Sequence, residues 1–122
     1  MRRLLHIGAL AIILGFSVSA SGQEGDAKKP VTLKGEIVDM HCFVTRGERG
    51  PDHAGCANAC ISRDVPAGFV TEDGTLYVLL NERPVSVKDK VAGLAGKTVT
   101  VTGFPVERNG VKGLQLQTVK VD

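Results

Sequence analysis

Residues 53–60 read His-Ala-Gly-Cys-Ala-Asn-Ala-Cys and hold two of the chain's three cysteines and one of its three histidines. On an α-helix each residue advances about 100°, so His53, Cys56 and Cys60 would project within about 60° of arc. One imidazole and two thiols on one stripe make three-quarters of a ligand set. The remaining cysteine, Cys42, is the natural fourth member. A Cys₃His set is a complete tetrahedral site for zinc, and thiolate-rich sites also suit Cu(I). The run Met40-His41-Cys42 sharpens the copper version, although in an extended strand neighbours face opposite sides. Met40 and Cys42 could then face the helix together and His41 could not. Cys56 would lie near a helix N-terminus, where the dipole favours thiolate.

The same residues have a plain structural use. A Cys56–Cys60 bond along a regular helix would strain disulfide geometry, so Cys42 is the better partner for either. A Cys42–Cys60 disulfide would close a loop of roughly twenty residues, worth about 3 kcal/mol in the chain-entropy model. Cys56 would then be a spare thiol and His53 an ordinary polar residue at a helix start. Thiol exchange in a redox system is a third use of the trio.

Other chemistries lack their residues. The chain has no C-x-x-C-H, C-x-x-C, G-x-S-x-G or H-E-x-x-H motif. Ser62 and Ser86 have no evident base. Glu36, Asp39 and the Glu72-Asp73 pair read as strand-edge and turn residues, and Tyr77 within LYVLL as core. Cys–His nucleophilic catalysis would need an oxyanion hole and an orienting group, and the sequence supplies neither. The chain is read as a binding module, not an enzyme.

The start of the chain carries an address. Arg2 and Arg3, an apolar run of about 13 residues and Val18-Ser19-Ala20 form a signal-peptide pattern over residues 1–20. That run is shorter than the roughly 20 residues a membrane span needs. Residues 21–30 are a polar lead-in. A periplasmic or secreted location follows, and there thiols pair or bind metal. Beyond residue 20 basic and acidic residues number thirteen each, and aromatics are few. Nucleic acid is therefore not the expected partner. An unidentified protein or small ligand is expected instead, with no membrane attachment after cleavage and a monomeric state. About 100 residues suit one domain, near the size where a cross-link or metal helps the core.

The elements that must position the cysteines can be read next. VTLKGEIVDM is a strand ending beside Cys42, with Gly35 suggesting a bend or bulge. FVTRGERGPD (43–52) is a loop, and Asp52 can cap a helix through HAGCANACISR. GFVTEDGTLYVLL is a hairpin about Asp73-Gly74. SVKDKVAGLAG is a short helix with Ser86 and Asp89 as a capping box and Gly96 as its stop. KTVTVTGF alternates as a strand, Asn109-Gly110 turns, and GLQLQTVKV is the last strand. Its apolar phase slips near Thr118, which implies a bulge. Five strands with a helix between the third and fourth is the order of a small OB-like β-barrel. Here it spans residues 31–122 and carries an inserted Cys-bearing helix between strands one and two. A generic five-stranded roll is the alternative.

GEIVDMHC, HAGCANACISRDVPAGFV, DGTLYVL and AGKTVTVTG together resemble a group of small exported bacterial proteins of unknown function. In that group G-x-V-x-D-x-x-C is followed by C-x-x-x-C, a dG-x-x-Y-x-L hairpin and a G-x-x-V-x-V-x-G strand. The resemblance implies the fold and the cysteine trio, and no reaction. Asp64 departs from the group's usual glycine, which bears on how the helix ends. The expected site is Cys42, His53, Cys56 and Cys60 about zinc or copper. The alternatives are a disulfide-stapled module and a thiol-exchange accessory.

Overall fold

The computed structural model describes residues 29–122; the expected signal peptide (residues 1–20) and the lead-in as far as residue 28 lie outside the described residues. Strand β1 (Val31–Asp39) leads directly into helix α1 (Met40–Arg46). A 3-10 turn (Pro51–His53) then enters helix α2 (Ala54–Ser62). Strands β2 (Ala67–Thr71) and β3 (Leu76–Leu80) form a hairpin, followed by the one-turn helix α3 (Lys88–Val91) and the long hairpin β4 (Thr98–Arg108) and β5 (Val111–Val121). The protein is mainly β. Its five strands follow the order β1-β2-β3-β5-β4, and β4 returns to β1, so the ring of hydrogen bonds closes. All neighbours are antiparallel except β3 and β5, which pair in parallel from Val78↔Gly113 to Leu80↔Gln115.

The ring closes because β1 serves two partners. Its first half pairs with β4 (Val31↔Gly103 to Glu36↔Thr98) and its second half with β2 (Gly35↔Thr71 to Asp39↔Ala67). Inside lie Ile37, Phe69, Val99, Val101, Leu114 and Leu116, none with measurable exposure. The expected phase slip in the last strand is present. Thr102 pairs with Thr118 but Gly103 with Leu116, so Gln117 is the extra residue of a β-bulge. The slip lets Leu114 and Leu116 stay inside while Val119 packs at the core's margin.

Several local expectations change. The first strand stops at Asp39, and residues 40–46, expected as strand end and loop, form α1. The reason is a matched pair of caps. Asp39 keeps extended backbone angles and its carboxylate accepts from the Cys42 amide at 2.7 Å. At the other end Gly47, left-handed at φ 71°, donates to the Cys42 and Phe43 carbonyls. Asp52 does not cap the next helix by its side chain; a 3-10 turn with Pro51 at its first position intervenes, and His53 becomes the N-cap. The β2–β3 connection is wider than two residues, with Thr71 and Thr75 closing it through a 2.9 Å backbone bond. Helix α3 is one turn capped at Val87, although the Ser86 hydroxyl still accepts from the Lys88 amide at 3.3 Å.

Helix α2 packs against β1 and the core. Ala57 and Ile61, four residues apart, enter the core, while Asn58 locks the helix to the segment before β4. The Asn58 side chain donates to the Ala95 carbonyl (3.3 Å) and accepts from the Ala95 amide (3.2 Å). The backbone of α2 rests directly on Gly96: a Cβ there would come within 2.6 Å of the Ala54 Cβ and 2.8 Å of the Gly50 carbonyl oxygen. With φ at +78°, that position suits glycine twice over.

Candidate metal centre

Cys56 and Cys60 each precede a core residue of α2, Ala57 and Ile61, by one position. Burying those two fixes the rotation of the helix and turns both cysteines about 100° from the core stripe. Cys42 occupies the first turns of α1, placed there by the Asp39 cap. The three sulfurs lie within 4.8 Å of one another. Ligands on an ion with bonds of about 2.3 Å sit at comparable separations. Burial is graded across the set: Cys42 is buried, Cys60 half-buried and Cys56 exposed, and all three are free thiols.

His53 belongs to a second, overlapping set, with Asp39 and Cys42, and not to the set of three sulfurs. The stripe drawn from the sequence assumed one continuous α-helix from residue 53. The 3-10 turn at 51–53 rotates His53 off that stripe and toward Asp39. Its Nε2 lies 3.2 Å from Asp39 Oδ2 and its Nδ1 3.4 Å from Glu48 Oε2. Met40 and His41, on α1 rather than a strand, do not flank the sulfurs as a block. The Met40 sulfur packs over Gly68, and His41 is exposed.

A closed circuit surrounds Cys42. Arg46 Nη2 donates to the Cys42 sulfur and to Glu48 Oε2, both at 2.9 Å. Glu48 faces His53, His53 faces Asp39, and Asp39 accepts from the Cys42 amide. Glu36 adds a second tie by accepting from the Gly50 amide, which holds the loop between α1 and the 3-10 turn against β1.

The electrostatics follow from this packing. Burial, and then the Asp39 carboxylate beside it, push the Cys42 thiol up to about 12, with Arg46 opposing. Burial and the neighbouring Cys56 also raise Cys60. For Asp39 burial favours the neutral acid, yet bonds from Cys42 and His53 outweigh it and hold the carboxyl below its ordinary value. Arg46 holds Glu48 low. At neutral pH Cys42 is thus a protonated thiol, and a soft cation that bound there would displace its proton.

Sequence reasoning named the three cysteines and missed Asp39, Arg46 and Glu48. A signal for Asp39 was present, since D-x-x-C places an acceptor three residues before a helical amide, the N-cap spacing. Among the described residues, Cys42, Cys56, Cys60, Asp39 and His53 are the ones whose ligand atoms gather closely enough to hold an ion. No protein-family model matches this chain, and no curated protein or solved structure matches it either.

Proposed function

We propose that the protein is an exported, periplasmic binding module rather than an enzyme, and that it holds a soft metal ion, zinc or copper, at Cys42, Cys56 and Cys60, with His53 beside them. The observation that carries this reading is the convergence of three free thiols from two separate helices within 4.8 Å. Cys42 arrives through a buried Asp cap and the other two through the core packing of α2, so the cluster is assembled by independent constraints. The closed five-strand ring with a parallel β3–β5 pairing supports an OB-like barrel as the scaffold. In this reading it belongs with the small exported bacterial proteins it resembles, acts as a monomer, and takes a protein or small ligand as partner, not nucleic acid or membrane.

The same proximity supports a second reading, a module stapled by a Cys42–Cys60 disulfide with Cys56 free. Anaerobic loading of the reduced mature chain with Zn(II) or Cu(I), followed by native mass spectrometry, tests the first. One ion per chain, lost when Cys42 or Cys60 becomes serine, is the expected result.

A further inference from the structure

We propose that the ion is Cu(I), held by the three thiolates of Cys42, Cys56 and Cys60 in a three-coordinate site with His53 outside the coordination shell, and that its open side serves ligand exchange with an acceptor thiol. This rests on the metal-binding reading above and narrows it.

The donor count is the first ground. A structural zinc site is almost always closed by four ligands, whereas Cu(I) is selected by soft sulfur donors. The described residues bring three sulfurs together within 4.8 Å, whereas His53, the fourth donor expected from spacing, comes that close to Cys42 but not to all three sulfurs. Both ring nitrogens of His53 already have carboxylate partners, Asp39 at 3.2 Å and Glu48 at 3.4 Å, which compete with any ion for them. Asp39 is no substitute: it is fully buried, and its oxygens are engaged by the Cys42 amide and by His53. Asp39 and His53 are positioning residues that hold α1 and its cysteine in place.

The burial gradient is the second ground. Cys42 is walled in with 3% exposure, and Cys56 stands in solvent. An incoming group reaches the ion from the Cys56 side. There an acceptor thiol adds as a thiolate, the Cu–S bond to Cys56 breaks, and the proton released by the acceptor ends on the Cys56 sulfur. No electron changes hands. Arg46, donating to the Cys42 sulfur at 2.9 Å, keeps that thiolate hydrogen-bonded throughout.

The test uses the reduced mature chain, loaded anaerobically with Cu(I) in competition with a bicinchoninate-type chelator, and separately with Zn(II). X-ray absorption then counts neighbours. The expected result is one Cu(I) with three sulfur and no nitrogen neighbours, bound in preference to Zn(II). His53→Ala keeps the three-sulfur spectrum and weakens binding by about tenfold, the loss typical of a residue behind the ligands. Cys56→Ser, at an exposed position, folds normally yet loses a sulfur neighbour and gives up Cu(I) to glutathione faster, because the acceptor thiolate no longer has a Cys56 bond to displace. A four-coordinate Zn(II) site with one nitrogen, lost in His53→Ala, would overturn the inference and leave metal binding standing. Binding of neither ion would overturn both.

Discussion

Asp39 shows how much of this site depends on residues that are not ligands. It is fully buried, caps α1 through the Cys42 amide and orients His53. Its depressed carboxyl gives a pH dependence of definite sign. The unfolded chain protonates this group at a higher pH than the native one does, so its contribution is complete above the ordinary value of 3.8. It is lost as pH falls through the lower native value. Urea midpoints measured from pH 6 downward should therefore fall more steeply for the natural protein than for Asp39→Asn, which keeps a capping oxygen but cannot titrate. Equal slopes would mean that the native fold does not hold the Asp39 carboxyl below its ordinary value. Cysteine spacing was readable because Cys56 and Cys60 share one regular helix. The pairing of His53 with Asp39 was not, because a 3-10 turn and an α-helix look alike over three residues of sequence. The buried carboxylate at 39 was hidden by its neighbours, since an Asp ending an apolar strand also fits an exposed edge.

Helix ends decide where the thiols point, so their chemistry is testable element by element. Asp64, where the resembling group has glycine, takes the left-handed conformation at φ 69° and closes α2, with the Val65 amide returning to the Cys60 carbonyl at 3.1 Å. Its carboxylate meets Lys88 at 2.9 Å, an exposed pair of small worth. Asp64→Ala should cost about 1 kcal/mol through the left-handed penalty, and Asp64→Gly should recover it. Equal denaturation midpoints for the two variants would remove backbone strain as the cause. At the other end, Gly96→Ala forces a Cβ against Ala54 in a left-handed backbone. A loss of about 2–3 kcal/mol is expected, read from denaturant midpoints, with weaker ion binding as α2 shifts. The β-hairpins, the bulge at Gln117 and the Cys-bearing helix were legible, because period-2 alternation and turn dipeptides are strong local signals. Helix α1 was not. Its seven residues include Val44 and Thr45, which favour strands, and only its caps overrule them.

At the scale of the molecule, the closed ring is a rigid frame with its chemistry set outside the core. The succession of five strands along the chain could be read from local patterns, whereas ring closure needs β1 to pair on both edges, a long-range fact that no local pattern encodes. The frame predicts how folding and ion binding couple. An ion that binds only the assembled thiols stabilises the fold by about 2.7 kcal/mol at a free concentration a hundredfold above its dissociation constant. Thermal unfolding with and without the ion should show that gain, and Cys60→Ser should abolish it. The most direct measurement is the intact mass of the protein from its natural compartment, native and denatured, with thiol alkylation. A bound soft ion, and three alkylatable thiols once it is chelated, is the predicted result. A mass two hydrogens short, with one alkylatable thiol and no ion, would contradict the account and leave a disulfide-stapled module in its place.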